Sequence, residues 1–185
     1  MEQWKEYRLG DITDIITGFP FKGDLYSSEG IRVLRGENIG DKELRWDIRR
    51  DKRWNLPFDR AEEYSLKNED VILAMDGNVG KNKVRIKKDD LPMYLAQRVA
   101  CLRANDLSYQ KYLYYVIISP SFSKYLDSVK TGTTIQHISV KQIAEYSLNV
   151  PPLMTQKRIA DFLSSLDDKI ELNRQINDNL ISLAA

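Results

Sequence analysis

The spacing of hydrophobic residues along the chain changes after Pro151 and Pro152. Upstream, short runs rich in β-branched residues are bounded by Gly, Asp and Asn, as in GIRVLRGENIGD and DVILAMDGNVG, a pattern typical of strands joined by turns. Downstream, neither Gly nor Pro interrupts residues 153–185, which predicts one long helix. We therefore expect an α+β protein in which a mixed, strand-rich domain, residues 1–152, precedes a C-terminal coiled-coil helix, residues 153–185.

One helical segment is expected within the strand-rich part. In SYQKYLYYVIISPSFSKYLDSV, Leu113, Val116 and Ile117 recur at the spacing of one helix face. Pro120 breaks this pattern, because a proline inside a helix lacks the backbone donor that the helix requires. A second short helix is expected after it.

The C-terminal helix has a coiled-coil repeat, with alternating spacings of four and three residues. Two seam positions are asparagine, and amides in such a seam commonly fix its register and orientation. A helix of about 45 Å cannot bury this face on itself. It either lies across its own domain or, as we expect, pairs with a similar helix of another chain. The predicted dimerisation residues are Ile159, Leu163, Leu166, Ile170, Asn173, Asn177 and Leu180.

Composition limits the possible functions. The 28 basic and 27 acidic residues leave a formal charge of +1, so any surface for nucleic acid must be local. A single cysteine, Cys101, excludes an internal disulfide and a cysteine-based zinc site, and its apolar neighbours predict a buried thiol. We expect no secretory leader, because no basic-then-apolar segment opens the sequence, and no bilayer span, because no apolar run approaches the roughly 18 residues that a span needs. We expect a cytoplasmic protein without membrane contact.

Motifs of common catalytic sites are missing from the sequence. It has no Walker or dinucleotide loop, no His-Glu-x-x-His and no nucleophile elbow. The DDK segment at 167–169 lies inside the predicted helix, where successive side chains diverge, so a solvated helix face is expected rather than a nuclease centre. We therefore expect no catalytic residue, no metal ligand and no cofactor.

Polar side chains suited to binding fall in two predicted turns. MDGNVGKNK is expected to form a tight turn that brings Asn78 and the lysines after it to the surface, although a plain hairpin turn is the alternative. TGTTIQHIS contains the only histidine, which either contacts DNA or holds the turn. Short hydroxyl and amide groups read base edges or hold phosphate oxygens. The residues predicted to bind DNA are Lys81, Asn82, Lys83, Thr133, Thr134, Gln136 and His137.

Positive charge is concentrated in two segments. KNKVRIKK at 81–88 carries five positive charges and no negative one, and RWDIRRDKRW at 45–54 combines five arginines and lysines with Trp46 and Trp54. Each segment is either a phosphate-binding surface or the solvated face of a strand. Contacts to phosphate would give an affinity that falls steeply with salt.

The order of these segments is similar to that of a known family. WKEYRLGDITDIITGFPFKG, IRVLRGENIG, LKNEDVILAMDGNVGK, YLAQRVACLR and TGTTIQHISVKQIAEYSLNVPPL, followed by QKRIADFLSSLDDKIELNRQIN, resemble one half of the specificity subunit of Type I restriction-modification systems. The resemblance runs from Trp4 to the C-terminus. It is most specific where the strand ending in Pro-Pro leads into the long helix.

The resemblance implies a non-catalytic reader of double-stranded DNA that docks a methyltransferase subunit and, through it, a restriction subunit. Full-length members carry two recognition domains and two long antiparallel helices, whereas this chain has one of each. It therefore resembles a half-size subunit, or a fragment of a full one, that reads a bipartite DNA site after pairing. The site is palindromic if the partner is an identical chain and asymmetric if it is another half-subunit. An assembly module that binds protein instead of DNA is the alternative. Thr155, in place of an acidic residue common in the family, is expected to cap the helix.

Overall fold

The computed structural model of the protein describes residues 3–184, and short strands dominate the part before Pro151. They form three sheets with the strand orders β1-β9, β2-β8-β5-β6 and β4-β3-β7. Every pairing is antiparallel except that of β3 with β7. The strands are β1 (Lys5–Arg8), β2 (Thr13–Thr17), β3 (Ile31–Leu34), β4 (Arg53–Trp54), β5 (Val71–Ala74), β6 (Lys83–Arg85), β7 (Met93–Leu95), β8 (Val99–Ala104) and β9 (Ser147–Val150).

The helices lie mainly in the second half of the chain, and the expected α+β fold is confirmed. Pro120 separates two helices as predicted, because it occupies the first position of the second one, where its missing N–H costs nothing. No helix of residues 3–184 has both the length and the apolar character needed to cross a membrane. The helices are α1 (Leu9–Ile12), α2 (Ala61–Tyr64), α3 (Gln110–Ile118), α4 (Pro120–Val129), α5 (Val140–Ala144) and α6 (Leu153–Ala184).

The four-stranded sheet separates two hydrophobic clusters. Strand β5 is buried on both faces, and its successive side chains point to opposite sides. Leu73 packs with the cluster that contains α3 and α4, whereas Ile72 packs with the cluster around β7. Cys101 of β8 is fully buried in the second cluster, and burial raises the pKa of its thiol, as expected for an unreactive cysteine.

A third cluster is aromatic and is built on the Gly18-Phe19-Pro20-Phe21 turn. Phe19 and Phe21 pack with Trp54, Phe58 and the tyrosines of α2 and β7. A Cβ atom at Gly18 would lie 2.1 Å from the carbonyl oxygen of Ala96, so only glycine fits there. The turn therefore fixes β2 against the chain that follows β7.

Helix α6 is attached to the domain through its first turns. Strand β1 pairs with β9, immediately before the helix. Gln156 is buried; its Oε1 accepts from the Tyr109 backbone N–H at 2.8 Å, and its Nε2 donates to the carbonyls of Leu107 and Pro151. Because the helix begins at Leu153, Thr155 is its third residue, and the prediction of an N-cap there was wrong.

Candidate nucleic-acid interface

The two polar turns singled out in the sequence lie side by side. We call them the 75–82 turn, which joins β5 to β6, and the 131–137 turn, which follows α4. The Gly77 N–H donates to the Gln136 carbonyl, and the Ile138 N–H donates to the Met75 carbonyl, both at 2.9 Å. These backbone bonds hold the candidate residues of both turns in one region of the surface.

The 131–137 turn is a narrow loop closed at its base. Thr131 and His137 exchange two backbone hydrogen bonds, of 2.9 and 2.8 Å. Gly132 has φ +92°, and a Cβ atom there would lie 2.2 Å from the Ile135 carbonyl oxygen, so glycine is required. Thr133 and Thr134 are exposed near the tip, where their hydroxyl groups are available to a ligand.

His137 is joined to an aspartate of the neighbouring turn. Its Nδ1 lies 2.5 Å from Oδ1 of Asp76, so this nitrogen carries the proton that the carboxylate accepts. Arg98 donates to the other Asp76 oxygen at 2.8 Å. Burial raises the pKa of Asp76, but the bonds from Arg98 and His137 outweigh it and leave that pKa below its ordinary value. His137 therefore holds the two turns together, as the alternative interpretation of this histidine supposed, while its ring stays half-exposed.

The carboxylates near these turns and in α6 do not form a metal centre. Within residues 3–184, no three His, Cys, Asp or Glu side chains are grouped so that they could hold a metal ion. In the DDK segment, Asp167 accepts a hydrogen bond from the Tyr115 hydroxyl at 2.8 Å, and Asp168 and Lys169 are exposed. This arrangement fits the solvated helix face expected from the sequence.

The lysines of the 75–82 turn and β6 have different surroundings. Lys81 is exposed and Asn82 is half-buried, but Lys83 is only 4% exposed. The prediction that Lys83 lies at the surface was therefore wrong. Lys83 pairs across the sheet with Leu73, so its side chain points to the same face, beneath the junction of α3 and α4.

Lys83 forms the floor of a cleft of about 660 Å³ between the 75–82 turn, α4 and the loop before β4. Its Nζ donates to the Ile117 carbonyl at 2.9 Å and to the Ser123 hydroxyl at 2.7 Å. Of the residues predicted to bind DNA, Lys81 and Gln136 also line this cleft. The remaining polar and charged lining residues are Asp41, Lys42, Asn78, Ser123, Asp127 and Lys130.

Three of the five basic residues in the 45–54 segment have a carboxylate partner. The pairs are Arg50 with Asp47, Arg53 with Asp51 at 3.0 Å, and Arg45 with Glu43 at 3.5 Å. Trp54 is buried in the aromatic cluster. The pairing therefore neutralises the segment only in part, because Arg49 and Lys52 form no ion pair among residues 3–184.

Sequence reasoning missed the residue that shapes this segment. Asn38 is fully buried, and its Nδ2 donates to the carbonyls of Arg45 and Arg50, which closes the intervening loop. Ile48, in that loop, is 97% exposed. The available signal was an asparagine in the turn GEN after β3, because asparagine side chains in turns commonly bond nearby backbone groups.

A family model described as the Type I restriction modification DNA specificity domain matches residues 1–181. The chain belongs to this family. It is 29% identical, over 97% of its length, to the Type I restriction enzyme MjaVIII specificity subunit of Methanocaldococcus jannaschii. It is 31% identical, over 92% of its length, to the EcoAI specificity subunit of Escherichia coli. The chain covers 43% and 29% of these two relatives, which is less than half of either.

Solved structures show the same fold as this specificity-domain chain. One is a chain of the type I R-M system, solved in work on its complex assembly and conformational transition. Its TM-score is 0.68 and its sequence identity 21%, and the match covers 93% of this chain and 40% of that one. Another is the S subunit from M. genitalium, with a TM-score of 0.64, 20% identity and coverage of 96% and 44%. The resemblance expected from the sequence is confirmed.

Proposed function

We propose that this chain recognises duplex DNA as a non-catalytic specificity component of a Type I restriction-modification system. The match of the DNA specificity family to residues 1–181 carries the proposal. In this function the chain selects the DNA site, while a methyltransferase subunit that docks on it modifies a base. A restriction subunit joins the complex through that methyltransferase subunit.

The 75–82 and 131–137 turns are the proposed DNA-contacting surface. Thr133, Thr134 and Gln136 offer hydroxyl and amide groups that suit base edges. Lys81 and the half-buried Asn82 are placed beside them to contact the phosphate backbone. His137 contributes mainly by fixing the two turns to each other through Asp76.

The exposed part of α6 is the proposed dimerisation surface. Large apolar side chains, including Leu166, Ile170 and Leu180, are more than two-fifths exposed along it. Pairing with an antiparallel copy would bury them, and two-fold symmetry would then impose a palindromic, bipartite DNA site. The paired α6 helices would hold the two DNA half-sites apart by at least about one turn of the DNA helix, or about 34 Å. Pairing with a different half-subunit would instead give an asymmetric site.

Single-molecule methylation sequencing tests this proposal. The chain is expressed together with a methyltransferase subunit of the same system, and genomic adenine methylation is mapped. We expect a palindromic motif interrupted by unread bases. Changing Thr133 and Thr134 to Val should relax or abolish the motif, whereas Ser128→Ala, an exposed hydroxyl on α4, should leave it unchanged. An unmethylated genome in cells that contain the intact complex would contradict the proposal.

One competing function is an assembly module that dimerises but binds protein, and the ion pairs of Arg50 with Asp47 and of Arg53 with Asp51 in the 45–54 segment favour it. The two functions differ in their salt dependence. A DNA reader must lose affinity for duplex DNA linearly with the logarithm of salt concentration, with a slope of several units. A slope near zero for the purified chain would favour the assembly module.

A further inference from the structure

Lys83 is a buried cation to which the described part of the domain offers no carboxylate partner, although its Nζ lies 5.5 Å from the centroid of the Phe122 ring. Its two hydrogen-bond acceptors, the Ile117 carbonyl and the Ser123 hydroxyl, are neutral. Within residues 3–184, no carboxylate forms an ion pair with its Nζ; Asp41 and Asp127 act on it only from a greater distance. A buried charge without a partner of opposite charge is costly. A purely structural donor at this position would not need to be charged.

The ammonium group also has unused bonding capacity. It carries three N–H donors, of which two are occupied. The Ile117 carbonyl lies in the last turn of α3, where carbonyls lack helical partners, and this explains why a donor is placed there. The third N–H has no hydrogen-bond acceptor among the described residues, since the Phe122 ring near Nζ offers only a cation–π contact, and Lys83 lines the cleft.

The cleft above Lys83 has an excess of positive charge. Four lysines and two aspartates line it, which leaves a surplus of two positive charges. Lys130 is engaged by Asp127 at 2.7 Å, whereas Lys42 and Lys81 are exposed at the rim. Lys42 has φ 63°, a conformation that lysine rarely adopts. Its N–H donates to the Lys83 carbonyl at 2.8 Å, which holds the rim next to the floor.

We propose that this cleft is a binding site for one phosphate group, which in the DNA complex is a backbone phosphate of the duplex. The phosphate supplies the negative charge that Lys83 lacks and is held from the rim by Lys42 and Lys81. Because the 75–82 turn forms one wall, a phosphate bound here also fixes the register of both polar turns on the DNA. This inference rests on the proposed function and names a contact that Lys83 makes from inside the fold.

Phosphate binding at Lys83 should be accompanied by uptake of a proton, which binding at an exposed lysine would not require. Burial lowers the pKa of Lys83 to about 8; Asp41 and Asp127 raise it and Lys42 lowers it. Lys81 and Lys130 are the other charged groups that line the cleft. A bound phosphate favours the charged form, so binding above pH 8 must take up a proton. Affinity should fall by up to tenfold per pH unit as pH rises above 8.

The experiment is calorimetry of the full-length chain with a 30-bp duplex of mixed sequence at pH 8.5, in two buffers of different ionisation enthalpy. We expect uptake of up to one proton per chain. Lys83→Met should abolish the uptake and weaken binding by about tenfold or more. Lys83→Arg should abolish the uptake but retain more of the affinity, because it keeps the charge. Lys88→Met, an exposed lysine of the same basic segment, should leave the uptake intact.

The outcomes separate this inference from the proposed function. Duplex binding without proton uptake, together with equal affinities for Lys83→Met and Lys88→Met, would overturn the phosphate site and leave DNA recognition standing. If NMR shows that inorganic phosphate shifts the Lys42 and Lys83 amide signals but the chain does not bind the duplex, the proposed function and the assignment of the phosphate to DNA would both be overturned. Only a site for another phosphate ligand would then stand. If Lys83→Met does not fold, Lys83→Arg decides the question: proton uptake that is present in the unmodified chain and lost in Lys83→Arg supports the site, and uptake that persists in Lys83→Arg overturns it.

Discussion

The two parts of helix α6 have similar amphipathic sequences but different surroundings. In the first part, Gln156 and Ala160 are buried and Ile159 packs against the main core. In the second part, every residue from Ser165 to Leu183 is exposed. Apolar periodicity predicts which face of a helix is buried, but it does not specify what covers that face.

This contrast divides the predicted dimerisation seam. Ile159 and Leu163 are already half-buried within the chain, so for these turns the alternative that the helix lies on its own domain is correct in part. From Leu166 onward, the described seam residues are exposed, and Ile170 is only partly covered, in a cleft that Tyr114 and Ile118 also line. Pairing with another chain therefore remains a prediction for the second part.

A charge placed in the first part of the helix should have the largest effect. Ala160 is fully buried in the main core, so Ala160→Glu would force a carboxylate into an apolar site and lower the free energy of unfolding by about 3 kcal/mol or more. Ser165→Glu, at an exposed position of the same helix, should change it by less than about 0.5 kcal/mol. Denaturant unfolding at one fixed chain concentration measures both. Equal midpoints for the two variants would show that the first turns do not pack on the domain.

The same charge in the second part should separate chains without unfolding them. Ile170→Glu places two carboxylates in the seam of a dimer and should weaken association by about 100-fold, equivalent to about 3 kcal/mol. Sedimentation equilibrium measures the dissociation constant, and circular dichroism checks the fold. Gln175→Glu, on the opposite side of the helix, is the control and should leave association nearly unchanged. A monomeric unmodified chain would refute the dimer outright.

Local patterns predicted the elements of this fold, whereas contacts between distant segments were not predictable from them. The buried run of β5, the break at Pro120 and the long helix all follow from periodicity within short windows. The burial of Lys83 depends on the helix junction that covers its face of the sheet, more than thirty residues downstream. The bond between Asp76 and His137 likewise joins residues 61 positions apart. The sequence thus located the two polar turns but not how they are joined.

Replacing a seam asparagine should change the dissociation constant less than Ile170→Glu does, and should strengthen association instead of weakening it. Replacing Asn177 with Leu removes an amide from the proposed seam and should tighten association by about 1 kcal/mol, because a polar group at such a position lowers stability in exchange for register. Asn179→Leu, which lies off the seam, is the matched control and should not change the dissociation constant. Cross-linking through cysteines introduced along the helix should also show more than one pairing register for Asn177→Leu. A single register with unchanged affinity would place Asn177 outside the interface.

The smallest effect is expected at the boundary between the two parts, where the Tyr115 hydroxyl donates to Asp167. Tyr115→Phe should lower the free energy of unfolding by less than about 1 kcal/mol. Burial, followed by the bond to Asp167, raises the pKa of Tyr115 above its ordinary value of 10.0. The stabilisation is therefore complete below about pH 10 and is lost only as pH rises through the higher folded-state pKa. Unfolding of the two proteins at pH 7, 9 and 10.5 should give a constant difference at the first two values and a smaller one at the third. When Asp167 is changed to Asn, the effect of Tyr115→Phe on the free energy of unfolding should become smaller, whereas Asp168→Asn should leave that effect unchanged. If both changes alter it equally, the Tyr115 hydroxyl does not anchor the helix at this turn.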